Sequence, residues 1–495
     1  MRIHSKKRIR YNQTTGYSNT MKRGGNKTKI IATLGPASNN FEMIVKLINT
    51  GVDVFRLNFS HGSHEIHKQT IELIKRANKE LNTHVSILAD LQGPKIRLGE
   101  VLPLTVLKEG DTFEFTTSPM IGNNKIAYIT YPNFPSDVRP GETILIDDGK
   151  IELKVLETNQ KNHVITKVVF GGPISSKKGV NLPDTQVSIP SLTEKDHADL
   201  LFALEHGANW IALSFVRKAD DIIHLKNIIR HHGKHSKVIA KIEKPEALKN
   251  IDEIIDATDA IMVARGDLGV EMPVELVPFT QKDLCRRCLE KTTPVIIATQ
   301  MMESMIENAH PTRAEVTDVA NAVLDGADAV MLSAETAAGK YPEKVISTMV
   351  RIIEQAEKNE IVYNRRHQPD KHSKTYLSDA ICFNACNIAD EVHAAAIMGM
   401  TKTGYTAFMV SSCRPKAKIY VFTNNEEVVN ILNLLWGVEA FYYDGMRGTN
   451  NTFKEVQQHL AHIGYLKKDD VVINLGTMPV KEMARTNTLK ISVIQ

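Results

Sequence analysis

The amino-acid sequence predicts an α/β fold: a (β/α)8 TIM barrel, a small β-barrel lid domain inserted into it, and a C-terminal open α/β sheet domain. The first observation is a series of eight short apolar runs that alternate with amphipathic stretches. The second is that nearly every run ends in a polar or glycine-rich tip, as buried parallel strands do. The third is a break in the alternation that is rich in Thr, Val, Gly and Pro.

The eight apolar runs have the length and the β-branched composition of buried strands. Helix-like stretches such as 41–50 and 65–81 lie between them. Eight strand–helix units close a barrel, whose active site lies at the carboxyl ends of the strands. The predicted strands are 28–34, 52–58, 84–90, 208–215, 238–242, 260–264, 294–299 and 328–333.

The break after the third strand contains short alternating runs such as 143–146 and 163–170, typical of a small all-β domain. Its position predicts a lid over the barrel mouth. The C-terminal strands are predicted at 395–400, 406–410, 418–422, 471–475 and 489–494. The predicted domains are an arm at 1–26, a barrel at 27–92 and 190–365, a lid at 93–189 and a C-terminal domain at 366–495.

Composition argues against two classes of partner. No apolar run approaches the ~20 residues that span a bilayer, and a net charge of +4 is too small to indicate nucleic acid or a membrane as the main partner. Five cysteines in 495 residues do not form a disulfide framework, which fits a reducing, cytoplasmic location. Cys285 and Cys288 lack a second pair at zinc-binding spacing, so packing on one helix face is the preferred interpretation.

The N-terminal arm is rich in Lys, Arg, Asn and Thr, and the first acidic residue is Glu42. It lacks the apolar core of a signal peptide. A disordered basic arm is the preferred interpretation. A transit peptide and a true start at Met21 are alternatives, and no chemistry is assigned to the arm.

Charged residues end two neighbouring predicted strands. Lys241 and Glu243 are two residues apart, so on a strand they project to the same side. Asp267 follows the next strand, one helix further along the chain. Two carboxylates beside a lysine predict a divalent-metal site. A structural Lys241–Glu243 ion pair is the alternative, and the second charged strand end favours the functional interpretation.

An ordered set of motifs carries a resemblance to a known family. They are Val54-Phe-Arg-Leu-Asn-Phe-Ser-His-Gly62, Ile242-Glu-Lys-Pro-Glu246, Met262-Val-Ala-Arg-Gly-Asp-Leu-Gly269, Ala298-Thr-Gln-Met-Met-Glu-Ser-Met305, Pro311-Thr-Arg-Ala-Glu-Val-Thr-Asp-Val-Ala-Asn321 and Met331-Leu-Ser-Ala-Glu-Thr-Ala337. From about Lys27 to the C-terminus the chain resembles the pyruvate kinases, which share the predicted architecture. The resemblance implies phosphoryl transfer from phosphoenolpyruvate to ADP, giving pyruvate and ATP in the last step of glycolysis.

The resemblance also implies roles for individual residues. Glu243 and Asp267 match the ligands of Mg2+ (or Mn2+), which suits a two-carboxylate site. Lys241 matches the lysine placed against the moving phosphoryl group, and Arg56 matches the arginine that grips the same phosphate. Thr299 matches the threonine near the enolate and is expected to help deliver a proton through water, because its own pKa makes it a poor sole acid.

Further carried-over contacts concern the two substrates. Main-chain N–H groups of Gly266 and Asp267, at a helix start, are expected to bind the substrate carboxylate together with Thr299. A capping role at the barrel rim is the alternative for His61, and a plain turn explains Asp147 and Asp148 at least as well as a ligand role. The implied nucleotide contacts are Arg56, Asn58, His61 and Lys178.

One motif departs from the potassium-dependent members of the family. Those members place potassium against oxygens of the Asn58, Ser60 and Asp90 type, followed by Thr-Lys-Gly-Pro-Glu. Here residues 90–95 read Asp-Leu-Gln-Gly-Pro-Lys, so Lys95 stands in place of the glutamate. At an effective dielectric constant of about 20, the repulsion between an ammonium there and a second cation 4 Å away would be ~4 kcal/mol. The sequence therefore predicts that potassium is not required; a surface lysine pointing away is the alternative.

A compact turn in the C-terminal domain predicts a regulatory site. The turn is rich in hydroxyls and can bind a phosphate. It resembles the effector-phosphate loop of regulated pyruvate kinases. In those relatives, the loop that corresponds to residues 476–485 lies nearby. The ligand would be a phosphorylated metabolite, and the family implies a homotetramer; a plain connecting turn is the alternative. The expected effector contacts are Thr401, Lys402, Thr403, Gly404 and Thr406.

Two other functions compete with this interpretation. The first is a magnesium-dependent lyase or aldolase acting on 2-oxo acids, which would lack the lid and the C-terminal domain. The second is a non-catalytic binding protein that uses its basic arm. The intact set of Arg56, Lys241, Glu243, Asp267 and Thr299 argues against a dead enzyme.

Overall fold

A computed structural model describes residues 9–10, 25–365, 367–445, 449–478 and 485–495. Its centre is a closed barrel of eight parallel strands, which confirms the predicted fold class. Most of the predicted N-terminal arm lies outside the described residues. Within the arm, Ile9–Arg10 forms a short strand, β1.

The barrel begins with strands that alternate with two capped helices. The first helix starts where the Asn40 side chain accepts a hydrogen bond from the Met43 N–H, and it ends at Gly51, whose φ is 133°. Ser63 caps the second helix through the Ile66 N–H. These elements are β2 (Lys29–Thr33), α1 (Phe41–Thr50), β3 (Val54–Asn58), α2 (His64–Leu81) and β4 (Ser86–Asp90).

The chain then leaves the barrel to form the lid, as predicted. Its elements are β5 (Val106–Leu107), β6 (Thr112–Thr116), β7 (Ile126–Tyr128), α3 (Phe134–Asp137), β8 (Thr143–Ile146), β9 (Ile151–Thr158), β10 (His163–Phe170), β11 (Gly172–Pro173) and β12 (Val180–Asn181). Six of these strands form a curled sheet in the order β12-β8-β9-β10-β6-β7. The lid has a hydrophobic core of its own, in which Phe113, Phe115 and Phe134 pack edge to face.

The chain returns to complete the barrel. The elements are α4 (Glu194–Glu205), β13 (Trp210–Leu213), α5 (Ala219–His231), β14 (Lys237–Ile242), α6 (Pro245–Lys249), α7 (Ile251–Ala257), β15 (Ala260–Ala264), α8 (Arg265–Glu271), α9 (Val277–Glu290), β16 (Val295–Ala298), α10 (Arg313–Asp325), β17 (Ala329–Leu332), α11 (Ala334–Ala337) and α12 (Pro342–Ala356). Short 3-10 turns cover Val274–Leu276, Glu303–Ile306 and Glu360–Val362. The strands close in the order β13-β14-β15-β16-β17-β2-β3-β4, all parallel.

The cysteines lie within the described part of the chain, and none of the five forms a disulfide. Cys285 and Cys288 are buried on α9 in the barrel core, as the packing interpretation expected. Burial raises the pKa of both thiols. Within the ranges that the structure describes, no helix has the length and apolarity to cross a membrane.

The C-terminal domain is an open α/β sheet, as predicted. Its elements are α13 (Tyr376–Glu391), β18 (Ala396–Met400), α14 (Tyr405–Ser412), β19 (Lys418–Thr423), α15 (Glu426–Leu432), β20 (Val438–Tyr443), α16 (Thr449–His462), β21 (Val471–Gly476) and β22 (Thr488–Val493). The sheet order is β1-β20-β19-β18-β21-β22. The edge strands β1 and β22 run antiparallel to their neighbours.

One predicted strand of this domain was wrong. Residues 406–410 belong to helix α14, which begins directly after Gly404 at a φ of 89°. A short, mostly apolar run is buried in either conformation, so its periodicity does not distinguish a strand from a helix. The strand that completes the parallel part of the sheet is instead β20, which the sequence analysis missed.

The C-terminal domain packs against the amino ends of the barrel strands. Ile431 and Leu434 join the cluster of side chains inside the barrel, where the Trp210 indole N–H donates to the Ile431 carbonyl at 3.2 Å. Arg414 forms a buried ion pair with Asp328 at 2.9 Å. This end of the barrel is therefore covered, and the carboxyl ends of the strands face the lid.

Candidate active site

Side chains predicted to carry the chemistry gather at the carboxyl ends of the barrel strands. Arg56 and Asn58 are on β3, Asp90 ends β4 and Lys241 is near the end of β14. The register pairs Asn58 with Asp90 directly. Thr299 follows β16 on the same side of the barrel. The alternation of side chains along each strand places these groups in one cluster.

Lys241 lies at the centre of this cluster. Its ammonium is 2.9 Å from Glu243 Oε1 and 3.3 Å from Asp90 Oδ1, and it donates to Ser214 Oγ at 2.7 Å. Burial lowers the pKa of Lys241, but the two carboxylates outweigh burial and raise the pKa above its ordinary value. The amine therefore stays charged throughout the neutral range.

Glu243, which contacts this ammonium, forms a pair of carboxylates with Asp267. Oε2 of Glu243 accepts the Phe215 N–H at 2.7 Å. Burial raises the pKa of Glu243; Lys241 opposes this rise, and the negative charge of Asp267 adds to it. A divalent cation would relieve that repulsion, and Mg2+ takes one or two carboxylates together with substrate and water oxygens. The pair therefore fits the predicted metal.

Those two carboxylates have no further acidic, histidine or cysteine partner at the site. Within the described residues, no group of three or more such side chains is arranged to hold a metal ion. Asp267 keeps a side-chain exposure of 30%. Oxygens of a bound substrate and of water would therefore have to complete the coordination of Mg2+.

Arg56 is fixed by two neighbours in the barrel. Its Nε donates to Asp90 Oδ2 at 2.7 Å, and its Nη1 donates to Thr33 Oγ1 at 3.0 Å. Burial raises the pKa of Asp90, but the charges of Lys241 and Arg56 outweigh it and hold this pKa below its usual range. Asp90 thus orients both cations, and the N–H groups of Arg56 that bind neither Asp90 nor Thr33 are available to an anion.

Thr299 and Gly266 are joined by a hydrogen bond at the start of α8. The Gly266 N–H donates to Thr299 Oγ1 at 2.8 Å, and that hydroxyl donates to the Ala298 carbonyl at 2.6 Å. Thr299 has a φ of 67° and Gln300 a φ of 54°. A β-branched residue in the left-handed region is strained, and such strain is typical of functional sites.

Lys95 lies at a different place from the one predicted. Its ammonium is 3.8 Å from Asp267 Oδ1, and Gly179 of the lid packs beside its Cε. Within the described chain, it makes no hydrogen bond or ion pair with the side chains of Asn58, Ser60 or Asp90. The loop after β4 carries the lysine past Gly179 of the lid to Asp267, a path that sequence spacing does not encode.

The predicted nucleotide contacts fall into two groups. Asn58 and His61 lie at the end of β3, where the Asn58 side chain accepts the Ser60 N–H at 3.1 Å and His61 is exposed. Lys178 lies in the lid, where it pairs with Asp147 at 2.8 Å. Asp147 and Asp148 form a turn with φ values of 54° and 56°, as the turn interpretation expected.

The predicted effector turn precedes α14. Thr401 Oγ1 accepts the Gly404 N–H at 2.9 Å, and Thr406 shares a hydrogen bond of 2.7 Å with Thr486. Lys402 and Thr403 are exposed. The turn and the loop before β22 therefore lie together, although residues 479–484 of that loop are outside the described residues.

Sequence reasoning missed two residues of the cluster. Ser214 follows β13 and bridges Lys241 and the Leu91 carbonyl through its hydroxyl. Glu271 is buried at the end of α8, where it binds the Lys244 ammonium at 3.2 Å and the Asn181 amide of the lid at 2.8 Å. A polar residue at the tip of an apolar strand would have identified Ser214. No sequence pattern identifies Glu271.

Comparisons with known proteins agree on one family. Residues 25–346 match the family described as "Pyruvate kinase, barrel domain", and residues 379–492 match "Pyruvate kinase, alpha/beta domain". The chain is 43% identical to the pyruvate kinase of Corynebacterium glutamicum over 94% of its own length and 98% of that protein. It is 43% identical to the Geobacillus stearothermophilus pyruvate kinase over 94% and 80% of the two chains. A crystal structure of a pyruvate kinase from Cryptosporidium parvum superposes with a TM-score of 0.89 at 36% identity, covering 95% of this chain and 97% of that one.

Proposed function

This chain belongs to the pyruvate kinase family, and we propose that its reaction takes place at the cluster around Lys241. It is a phosphotransferase of glycolysis, which converts phosphoenolpyruvate and ADP into pyruvate and ATP. The alternative of a 2-oxo acid lyase or aldolase is not supported, because the relatives are pyruvate kinases over nearly the whole chain. The observation that carries the site assignment is the charged Lys241 between Asp90 and Glu243, with Asp267 close enough to Glu243 to help raise its pKa.

Fixed charges at the barrel mouth support the phosphoryl transfer. The transferred group has a loose transition state that needs positioning and electrostatic stabilisation. The Lys241 ammonium and the Arg56 guanidinium are held by Asp90 and supply that charge without reorganising. Mg2+, bound by Glu243 and Asp267, would neutralise charge on the substrate oxygens.

The substrate carboxylate is assigned to the start of α8. The main chain of Gly266 and Asp267 and the Thr299 hydroxyl lie together there. Thr299 would then stand beside the enolate and help deliver a proton through water, for which its hydroxyl would turn from the Ala298 carbonyl. Arg56, Asn58, His61 and Lys178 are assigned to the nucleotide.

A coupled assay that measures pyruvate tests this function. Pyruvate formation should require both phosphoenolpyruvate and ADP, and it should stop when the metal is removed by a chelator and resume with Mg2+. Pyruvate released from a 2-oxo acid without ADP would contradict the function. The variant Lys68→Met, which changes an exposed lysine on α2, is the control for lysine substitutions tested in this assay.

We also propose that the enzyme does not require potassium. Lys95 supports this proposal by placing a positive charge 3.8 Å from Asp267, next to the metal carboxylates. The activity with sodium as the only monovalent cation should equal the activity with potassium. In Lys95→Glu the charge is reversed, so potassium should then activate. A large activation of the wild-type enzyme by potassium would contradict the proposal.

Regulation by a phosphorylated metabolite is proposed for the turn at Thr401–Thr406, in a cytoplasmic homotetramer. The exposed Lys402 and the hydroxyls around Gly404 support an anion site. Activation by sugar phosphates should be lost in Lys402→Met. It should be kept in Lys416→Met, which changes an exposed lysine of the same domain.

The boundaries 27–92, 93–189, 190–365 and 366–495 are proposed for the domains.

A further inference from the structure

Residues 59–62, which we name the β3 loop, are held through their main chain. The Lys195 ammonium at the start of α4 donates to the Phe59 carbonyl at 2.7 Å. Two residues further on, the His61 carbonyl lies 2.9 Å from Nε2 of His67 on α2. A carbonyl oxygen can only accept, so Nε2 carries the proton. Two different helices thus fix two carbonyls of one short loop.

Asp199 fixes the lysine in place. One oxygen of this carboxylate lies 2.6 Å from the Lys195 ammonium, and the other lies 2.7 Å from Nε2 of His64. The Asp199 side chain is only 5% exposed, whereas that of Lys195 is 52% exposed. A buried carboxylate therefore anchors a lysine that would otherwise be free to move in solvent.

His67 adds a second anchor by packing as well as by hydrogen bonding. Its ring stacks on Phe59 with centroids 4.3 Å apart. Burial lowers the pKa of His67, so the ring is neutral near pH 7 and keeps one donor and one acceptor. The β3 loop is therefore held by an aromatic face and a hydrogen bond from the same side chain.

These contacts hold the main chain and the Phe59 ring, and they leave the His61 side chain free. His61 is exposed, and the Ser60 N–H is turned toward the Asn58 amide at 3.1 Å. We propose that Lys195 and His67, with Asp199 behind the lysine, are positioning residues that hold the β3 loop in the conformation that binds ADP. This inference rests on the proposed function, from which it takes the nucleotide contacts of Asn58 and His61.

Steady-state kinetics of Lys195→Met and His67→Phe test the inference. Lys195→Met removes the donor to Phe59, and His67→Phe keeps the stacked ring while removing the donor to His61. Each variant should raise KM for ADP about tenfold and change kcat and KM for phosphoenolpyruvate by less than about threefold. Lys195→Arg keeps a charged donor and should restore KM for ADP. Lys68→Met, exposed on α2, is the matched control and should leave all constants unchanged.

The outcomes separate this inference from the proposed function. An inactive wild-type enzyme would overturn the function itself. An active wild type with an unchanged KM for ADP in both variants would overturn the inference alone. So would an equal rise in KM for both substrates accompanied by a lower Tm, because that pattern reports general destabilisation, as would a failure of Lys195→Arg to restore ADP binding.

Discussion

Asp90 forms ion pairs with both cations of the active-site cluster. Its two oxygens face the Lys241 ammonium and the Arg56 guanidinium, and its side chain is 1% exposed. Burial alone would favour the neutral acid, and the two cations reverse that preference. The same carboxylate that orients the cations therefore also depends on them for its charge.

A pH dependence of stability follows from the lowered pKa of Asp90. A carboxyl whose pKa is lower in the folded state stabilises the fold above its unfolded pKa of about 3.9, and this contribution is lost as pH falls through the folded value. The free-energy difference in unfolding between wild type and Asp90→Asn should be constant from pH 5 to 7 and shrink below pH 4. Urea unfolding of wild type and Asp90→Asn at pH 6 and at pH 3 measures this free-energy difference in the two pH ranges. A difference that grows in acid would contradict the prediction.

Thr299 should act through its hydroxyl rather than through its shape. Thr299→Ser keeps the hydrogen bonds to Gly266 and Ala298, so kcat should stay within about threefold of wild type. Thr299→Ala removes them and should lower kcat about 100-fold, the range of a lost proton relay. Single-turnover rates of the three enzymes decide this. Equal rates for Ser and Ala would exclude the relay.

The sequence predicted which strand ends carry charge, but not where every side chain would point. Lys241 and Glu243 are two residues apart at a strand end, so their common side followed from strand geometry. Lys95 lies in a loop, where no period governs direction, and it approaches Asp267 beside the lid residue Gly179. The position of Lys95 was therefore mispredicted although its charge was recognised.

At the scale of elements, the first turn of α4 joins the lid to the barrel. Thr193 and Asp196 form a capping box at its start. Oδ1 of Asp196 accepts the Gly93 N–H at 2.9 Å, at the point where the chain leaves for the lid. The outgoing and returning chains of the lid are thus tied at one buried carboxylate.

Gly93 should tolerate no side chain at this crossing. Its φ is 69°, and a Cβ would lie 2.9 Å from the side chains of Phe215 and Ser214. Gly110 in the lid has a φ of 85° and open space around it, so Gly110→Ala controls for backbone strain. Gly93→Ala should lower the free energy of unfolding by about 2–5 kcal/mol and Gly110→Ala by about 1–2 kcal/mol. Equal losses in urea unfolding would show that the contacts of Gly93 do not matter.

Element prediction succeeded where a run had both length and context. The eight barrel strands were recognised because polar tips and amphipathic helices alternate with them. In the C-terminal domain, residues 406–410 are apolar apart from Thr406 and lie in α14. Strand β20 carries Glu439 in an otherwise aliphatic and aromatic run, and it follows a segment that packs into the barrel, so its neighbours gave no strand signal.

At the scale of the whole molecule, one buried ion pair ties the C-terminal domain to the barrel. Arg414 and Asp328 have side-chain exposures of 1% and 5%, and the guanidinium also lies 4.9 Å from the centre of the Trp436 ring. Removing one member of such a pair leaves a buried charge without its partner. The contact between the domains should therefore be sensitive to this residue.

Arg414→Met should lower the free energy of unfolding by about 3–5 kcal/mol. Lys416→Met breaks an exposed pair with Glu360 in the same region and should change it by less than about 1 kcal/mol. Thermal and urea unfolding of both variants measure the difference. Similar losses in the two variants would show that the buried pair does not hold the domains together.

If the Lys241 ammonium stabilises the transferring phosphoryl group, its removal should act on kcat for pyruvate formation. In Lys241→Met, kcat should fall at least about 1,000-fold, with a Tm within a few degrees of wild type and phosphoenolpyruvate still bound. A variant that folds and turns over within about tenfold of wild type would contradict this role of Lys241.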